Sequence, residues 1–410
     1  MEVLYPRCCG IDVHQSFVVG CLSVVESGQR HKEIRQFSTQ IGELRAMRDW
    51  LVGAGCTHVA MESTGVYWRT VYRQFYGSLE QVVANPQHIK AVPGRKSDVQ
   101  DAEWLADLLQ HGLLQSSYVP PVEQQDLRDL TRLRSTLVQD RARLVNRVLK
   151  TLEMAGIKLR PVLSDVMGVS GLSILRALVA GERDPHRLAG LAHPSLLRKH
   201  DQLVAALQGG GLQPHHSFLL RELLTVIEAL EHSISHVESE IQDRLRPFGE
   251  TLERVEHITG VGQHTLEVLF AEVGWNMDPF PDAAHLASWA GMCPGQHESA
   301  GKRLSGRVRK GNKWLRSALV QAAHAAARTQ TYLGEQYRRL SKRRGSKRAA
   351  IAVGHSILVI YYHMMKTGEP YQERGVEYLK QMDKQRLQRH LVQRLESLGY
   401  QVTVQAPPAA

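Results

Sequence analysis

The chain has 410 residues, enough for two or three domains, and 43% of them are hydrophobic, which excludes wholesale disorder. It contains no uninterrupted apolar run of about 18 residues, the length that a membrane span needs. Residues 349–365 come closest, but they include two histidines and are predicted to form a buried helix. Five cysteines without a CxxC pair, and a start that lacks a secretory signal, favour reduced thiols in a cytoplasm with no membrane attachment.

The net charge of +10 is concentrated in one segment of the chain. Residues 302–348 contain fifteen Lys and Arg residues and one acidic residue, Glu335, so this segment carries +14 and the rest of the chain −4. A basic module joined to a mildly acidic body is typical of proteins that bind nucleic acids. The alternative, a charged surface that only aids solubility, usually mixes both signs.

Residues 1–118 alternate between strand and helix patterns. Strands are predicted within residues 9–25, 33–38, 57–61 and 81–84, and helices at 41–52, at 66–75 and in the second part of 95–114. Such alternation is typical of a mixed sheet that is covered by helices. We therefore expect an α/β domain at the start of the chain.

Residues 122–250 are predicted to be almost entirely helical. Between Leu220 and Ile241 the apolar residues keep the a and d spacing of three heptads, which predicts a coiled-coil seam. The seam serves either as a dimerisation arm or as one half of an antiparallel pair within the chain, and the sequence does not choose. The preceding helix, 127–152, is rich in basic residues that either follow a nucleic-acid backbone or form a solvated face: Arg132, Arg134, Arg141, Arg143, Arg147 and Lys150.

Residues 251–372 are predicted to be helices joined by turns, and 373–410 a charged helix with a flexible end. In the turn at 258–262, Gly260 and Gly262 expose backbone N–H groups that can hold a phosphate. His232 and His236 have a spacing seen in zinc sites, but they fall outside the heptad seam. We expect both to point to solvent and the protein to hold no zinc.

Four carboxylates lie at the ends of predicted elements in the first domain. Asp12 interrupts an apolar strand, Glu62 ends another strand, and Asp98 and Asp101 share one face at the start of a helix. Parallel strands that end at one rim, together with a helix start, can bring carboxylate oxygens to one point. Mg²⁺ prefers such oxygens, and a pair of these ions stabilises the attacking and leaving oxygens at a phosphodiester.

Motifs in two distant parts of the chain resemble one known family. Gly-Ile-Asp at 10–12, Glu-Ser-Thr-Gly at 62–65 followed by Tyr67, Asn-Pro at 85–86 and the stretch 96–102 resemble the RuvC-like DEDD domain of insertion-sequence 110-type transposases. These are the bridge-RNA-guided recombinases, relatives of the Piv-type DNA invertases. Residues 258–262, 286–294, 298–299 and 310–316 resemble the C-terminal domain of the same family. The resemblance covers roughly 8–115 and 251–370.

The resemblance implies an architecture for the whole chain. Residues 1–118 would be an α/β domain with the RNase H-like (RuvC-like) fold and a mixed sheet, which binds metal and acts as the nuclease domain. Residues 122–250 would be a helical coiled-coil linker and dimerisation region. Residues 251–372 would be the mostly helical C-terminal transposase domain, which carries a catalytic serine.

The resemblance also implies the roles of single residues. Asp12, Glu62, Asp98 and Asp101 would be catalytic and would hold Mg²⁺, or Mn²⁺ in its place. Ser299 would attack a DNA phosphate and form a phosphoserine intermediate. The family commonly has glycine directly after this serine, whereas Ala300 stands there in this chain, which leaves the Ser-Gly pair at 305–306 as a second candidate.

The function that follows is an RNA-guided DNA recombinase of an insertion sequence. Its expected partners are donor and target DNA, an element-encoded guide RNA, and further copies of the chain in a homodimer or a dimer of dimers at the bacterial nucleoid. Two alternatives remain, a Holliday-junction-type endonuclease that uses water and a non-catalytic nucleic-acid-binding scaffold. The residues expected to contact nucleic acid are Gly260, Gly262, Lys302, Arg303, Arg307, Arg309, Lys310, Lys313 and Arg316.

Overall fold

The computed structural model describes residues 2–63, 65–84, 98–208, 211–295, 297–299, 302–305, 308 and 310–403. Only the backbone is described at residues 98–100, 297–299, 302–305, 380, 383, 385 and 386. The chain forms two compact units, residues 1–120 and 121–410.

The first unit is built on a five-stranded mixed sheet with the strand order β3-β2-β1-β4-β5. β1 pairs with β2, and β2 with β3, in antiparallel fashion, whereas β1–β4 and β4–β5 are parallel. The mixed α/β sheet predicted from the sequence is therefore confirmed. The strands are β1 (Arg7–Val13), β2 (Phe17–Glu26), β3 (Gln29–Ser38), β4 (His58–Glu62) and β5 (Glu80–Ala84).

Helices cover both faces of this sheet. The side chains of Cys9, Ile11 and Val59 point to one face, where they pack in a core with residues of α1 (Ile41–Gly53) and α2 (Trp68–Phe75). The alternate positions point to the other face, where Cys8 and Ala60 pack against Leu109 of α3 (Asp98–Gln110). Strand alternation thus separates the residues that face α1 and α2 from those that face α3.

The second unit is helical apart from one short hairpin among its described residues. Its two longest helices, α4 and α8, are each more than 30 residues long, and short 3₁₀ turns precede α7 and follow α8. The helices are α4 (Val122–Met154), α5 (Val169–Ala180), α6 (Pro185–Gly190), α7 (His200–Gln208), α8 (Pro214–Leu245), α9 (Gly249–Glu256), α10 (Gln263–Glu272), α11 (Ala283–Trp289), α12 (Lys313–Ala326), α13 (Tyr332–Arg344), α14 (Ser346–Thr367) and α15 (Glu377–Glu396).

The heptad segment of α8 packs antiparallel to α4 within the same chain. Ion pairs join Arg141 to Glu231 at 2.6 Å and Arg244 to Asp126 at 3.7 Å, so residue numbers rise along one helix as they fall along the other. The seam residue Ile241 lies between these two pairs along α8 and is fully buried. Of the two arrangements that the sequence left open, the structure has the intramolecular one.

The apolar stretch at 349–365 lies in α14, which is buried on the faces that meet α11, α12 and α13. The hydroxyl of the fully buried Tyr361 donates a 2.7 Å hydrogen bond to the carbonyl of Gly274, which satisfies its polar end. This confirms the predicted buried helix. Among the described residues, no helix is both long enough and apolar enough to cross a membrane.

Candidate functional site

Asp12 and Glu62 lie side by side on one face of the sheet, at the carboxyl ends of neighbouring parallel strands. Ile11 pairs with Met61 in the register of β1 and β4, so the next position of each strand is a carboxylate. Both residues alternate with core positions that face α1 and α2, and they therefore point to the side of the sheet that α3 covers. Adjacent strands lie about 4.8 Å apart, so the two side chains start within reach of one another.

Helix α3 runs antiparallel to β1 and begins over the strand end that carries Asp12. The Cys8 thiol lies 3.7 Å from the carbonyl of Ala106, and a Cβ at Gly10 would stand 2.1 Å from the carbonyl of Ala102. Four residues of helix rise about 6 Å and two residues of strand about 6.6 Å, so each two-residue step along β1 matches one turn of α3. Cys8 lies beside Ala106 and Gly10 beside Ala102, so a further step of two residues along β1 and four along α3 places backbone position 98 opposite Asp12.

The Asp12 carboxylate is held by a neighbouring imidazole. His14 Nε2 lies 2.9 Å from Asp12 Oδ2, and the His14 ring stacks on Phe17 with the ring centroids 4.5 Å apart. The Asp12 side chain is only 18% exposed. His14 was not predicted as a site residue, although its position two residues after Asp12 on the same strand face is a usable signal.

Three of the four predicted carboxylates have described side chains, at Asp12, Glu62 and Asp101. Within the part of the chain whose side chains are described, no three His, Cys, Asp or Glu residues are grouped closely enough to hold a metal ion. The side chain of Asp98 lies outside the described residues. The backbone thus directs the four positions to one end of the sheet, and the metal ligation expected from the sequence stays a prediction.

The two candidate serines occupy opposite ends of one β-hairpin in the second unit. β6 (His297–Ser299) pairs antiparallel with β7 (Lys302–Ser305), with Ser299 opposite Lys302 and Ser305 opposite His297. A bridge between Pro294 and Val308 extends the ladder. Ser299 therefore stands where the hairpin turns, and Ser305 stands at its open end. The prediction of helices joined by turns over 251–372 did not include this hairpin, because both strands are short and polar and lack an apolar alternation.

The turn at 258–262 connects α9 to α10, and its two glycines play different parts. Gly260 has a φ of +87°, and a Cβ there would lie 2.4 Å from the carbonyl of Ala322 in α12. A packing requirement therefore explains this glycine by itself. Gly262 is the N-cap residue of α10, has no neighbour that a Cβ would meet, and leaves the first N–H groups of α10 without a side-chain cap. The phosphate contact expected at both glycines stays a prediction, and the uncapped start of α10 at Gly262 is compatible with it.

Comparison with known proteins assigns the chain to a family. Residues 9–156 match a family model described as a transposase with the DEDD signature of IS110, and residues 252–338 match the model of the IS116/IS110/IS902 transposase family. A probable family 20 transposase from Pseudomonas aeruginosa is 30% identical over 274 residues, which are 66% of this chain and 71% of that protein. The chain belongs to the IS110-type transposase family.

Other relatives fit this assignment. The transposase for insertion sequence element IS1111A from Coxiella burnetii is 27% identical over 77% of this chain and 79% of its own length. The pilin gene-inverting protein of Moraxella bovis is 26% identical over 39% of this chain and 56% of its own length. The first family model spans all four carboxylates of this IS110-type chain, and the second spans the hairpin with Ser299.

The cationic residues predicted to contact nucleic acid are only partly described in this family member. Lys310 and Lys313 are exposed, and Arg316 is half-buried. Asn312 starts α12 as its N-cap, with its side-chain oxygen accepting from the N–H groups of Trp314 and Leu315, both at 3.1 Å. The side chains of the remaining cationic residues of this set lie outside the described residues: Lys302, Arg303, Arg307 and Arg309.

Two arginines of α4, the half-buried Arg132 and the buried Arg134, pair with acidic residues of α10, which neither interpretation of that basic helix predicted. Arg132 donates two hydrogen bonds, of 2.7 and 2.8 Å, to the carboxylate of Glu272, a fully buried residue at the end of α10. Arg134 forms a buried ion pair with Glu267, one turn earlier in α10. These arginines join α4 to α10 in the IS110-type chain.

Proposed function

We propose that this chain is the recombinase of an insertion sequence and that it cuts and rejoins DNA strands through a phosphoserine at Ser299. Membership of the IS110-type transposase family supports the class of reaction. The observation that carries the proposal is the placement of Asp12 and Glu62 on one sheet face, at the strand ends over which α3 begins. Four carboxylate-bearing positions near one sheet end would suit phosphodiester chemistry.

The covalent step is a transesterification that conserves the number of phosphoester bonds. The Ser299 oxygen bonds to the phosphorus, the bond from phosphorus to one deoxyribose oxygen breaks, and the leaving strand keeps a free hydroxyl after taking up a proton. The serine proton passes to a base, because an unassisted serine hydroxyl is a weak nucleophile. When the hydroxyl of another strand attacks the same phosphorus, the strand is rejoined and the serine is released without ATP.

Asp12, Glu62, Asp98 and Asp101 would hold the metal, and their oxygen-only donor set favours Mg²⁺ or Mn²⁺ over zinc. The ion would neutralise charge that develops on the phosphate oxygens. In this arrangement His14 orients Asp12 through its 2.9 Å contact with Oδ2. The backbone of α3 sets the positions of Asp98 and Asp101 through its close approach to Gly10.

The choice of DNA sites would be delegated to an element-encoded guide RNA that pairs with donor and target DNA. Residues 302–348 carry a net charge of +14, which supports a polyanionic partner such as RNA. Recombination joins two DNA sites, so the working form would be a homodimer or a dimer of dimers. RNA that copurifies with the full chain, identified by sequencing, tests the guide.

A denaturing gel with end-labelled DNA tests the phosphoserine. We expect a protein–DNA adduct that requires Mg²⁺, that disappears in Ser299→Ala and that persists in Ser305→Ala, the matched change at the other end of the hairpin. Asp12→Asn should abolish the adduct without preventing DNA binding. Undiminished cleavage by Ser299→Ala would instead assign the reaction to hydrolysis by water, as in a junction-resolving endonuclease. Unchanged behaviour of Asp12→Asn would favour a non-catalytic scaffold.

A further inference from the structure

A cavity of about 720 Å³ opens in the second unit where the first turns of α10 and α12 meet the α4/α8 helix pair. This volume lies within the range of about 300–1,000 Å³ that is typical of small-ligand sites. Among the side chains that the structure describes, none that belongs to the proposed cleavage chemistry lines it. The cavity therefore needs an explanation of its own.

Helix α12 contributes one indole ring and one lysine side chain to the cavity wall. Trp314 is half-buried in the wall, and the ammonium of the exposed Lys313 lies 4.8 Å from the centroid of the indole ring. Ser317 and Gln321 continue the same helix face and are exposed. A lysine on a flexible stem can leave the ring at little cost, which would open the indole for stacking while the ammonium stays close by.

The wall formed by α10 is polar but nearly neutral. The charge of Arg134 is balanced by Glu267, which also accepts a 2.8 Å hydrogen bond from the amide of Gln263. The guanidinium of Arg134 donates to Nδ1 of His264, so the neutral imidazole carries its hydrogen on Nε2. Burial and the neighbouring Arg134 charge lower the pKa of His264, which keeps the ring neutral at pH 7.

The facing helices add groups that both donate and accept hydrogen bonds. Gln139 of α4 and Gln242 of α8 contribute amides, and Glu238 contributes a carboxylate. A pocket for a free phosphate would carry a net positive charge, and a pocket for an apolar ligand would lack so many amides. An aromatic face bordered by amides, one carboxylate acceptor and a single cation at the rim is instead the chemistry that recognises a nucleobase and the phosphate next to it.

We propose that this cavity binds the base of an unpaired nucleotide, stacked on Trp314, with the adjoining phosphate at Lys313 and the uncapped first turn of α10. The proposal rests on the proposed function in so far as that function supplies a nucleic-acid partner. Unpaired DNA and unpaired RNA share the chemistry that the cavity recognises, and the test separates them. Fully paired duplex has no base free to enter.

The test uses the full chain with oligonucleotides that carry 2-aminopurine either as a single-nucleotide bulge or fully paired, in a DNA series and an RNA series. We expect quenching of the bulged probe only, since stacking on indole quenches its fluorescence. Trp314→Ala should weaken binding of the bulged oligonucleotide about 5- to 150-fold and leave the paired duplex unchanged. The series that shows the effect identifies the strand that enters the cavity.

A second pair of variants distinguishes loss of nucleotide binding from loss of folding. Ser317→Glu places a carboxylate at the exposed rim of the cavity and should also weaken binding of the bulged probe, whereas Ser233→Glu, an exposed serine of α8 outside the cavity, should not. Equal binding of the bulged probe by Ser317→Glu and the unaltered chain would overturn the proposal. Ser299→Ala should keep the quenching, so loss of the adduct and loss of nucleotide binding are read separately.

Discussion

At the scale of single residues, Gly10 explains how the carboxylates come to lie at one sheet end. Any side chain at this position would collide with backbone atoms of α3, since a Cβ would lie 2.1 Å from the carbonyl of Ala102 and 2.3 Å from the nitrogen of Ala106. The glycine lets the helix lie directly on β1, and that contact sets the helical turn that begins at Asp98 over the end of the strand. The Gly-Ile-Asp motif thus combines a packing residue with the carboxylate that we propose as a metal ligand.

Gly10→Ala should therefore destabilise the first unit by at least about 1–3 kcal/mol, because the clashing atoms belong to backbone and must move. Gly42→Ala in α1 is the matched control. A Cβ at residue 42 meets nothing within 4 Å, and alanine favours a helix by up to about 1 kcal/mol. Urea denaturation of both variants measures the difference. A Gly10→Ala chain as stable as the control would show that α3 does not rest on β1 in this way.

His264 gives stability a dependence on pH with a definite sign. Burial, and secondarily the charge of Arg134, lowers its pKa from the model-compound value of 6.5, so the unfolded chain binds the proton more tightly than the folded chain. Stability should therefore be complete above pH 6.5 and should fall as the pH drops below that value. The urea midpoint should decrease between pH 7.5 and 5.5, and His264→Gln should make the decrease smaller.

Part of the pH effect should remain in His264→Gln, since burial also lowers the pKa of His355. His232→Gln, an exposed histidine on α8, serves as the control and should retain the full decrease. A His264→Gln chain that loses as much stability at pH 5.5 as the unaltered chain would contradict the assignment.

At the scale of elements, Glu272 fixes three segments to one another. Its buried carboxylate at the end of α10 accepts hydrogen bonds from Arg132 of α4 and, at 2.6 Å, from the amide of Asn312, the residue that caps α12. Arg128 of α4 forms an ion pair with the same carboxylate at 3.1 Å. The Glu272 carboxylate therefore contacts both the N-cap residue of α12 and two successive turns of α4. Asn312 directly precedes Lys313 and Trp314, two residues that line the cavity.

Glu272→Gln should cost about 3–5 kcal/mol of unfolding free energy, because it leaves buried guanidinium groups without their counter-charge. Glu228→Gln removes a comparable charge from the exposed pair with Arg176, where both side chains are more than half exposed, and should cost less than about 1 kcal/mol. Thermal or urea unfolding of the two variants gives the comparison. Equal losses would mean that the Glu272 network contributes no more than a surface ion pair.

These elements also show what the sequence can and cannot predict. Apolar and helical patterns located β4, α1 and α4 to within about five residues, whereas the predicted strand region 9–25 contains two antiparallel strands, β1 and β2. The heptads of α8 predicted an apolar seam but not its partner, since the partner α4 is decided by packing. The sequence does not predict the ion pair between Arg132 and Glu272, because the two residues are 140 positions apart. It does not predict the hairpin at Ser299 either, because the two strands show no apolar alternation.

At the scale of the whole molecule, some cationic side chains form ion pairs with acidic residues, whereas others form an exposed surface that can contact phosphates. Arg338 and Arg339 both pair with Glu335, the only acidic residue within residues 302–348. Beyond them, the end of α13 and the start of α14 form an exposed cationic corner. It consists of Lys342, Arg343, Arg344, Lys347 and Arg348. Such a surface contributes sequence-independent affinity for phosphates.

The salt dependence of DNA binding measures this contribution directly. Each phosphate contact that is lost should reduce the slope of log K against log salt concentration by about 0.9, so a chain with Lys342, Arg343 and Arg344 all changed to alanine should lose a slope of about 1 to 3. The matched control changes Arg141, Arg143 and Arg176, three arginines that pair with acidic residues, and should keep the slope. If both triple variants show the same slope as the unaltered chain, the corner does not contact DNA and the phosphate contacts lie elsewhere in the basic segment.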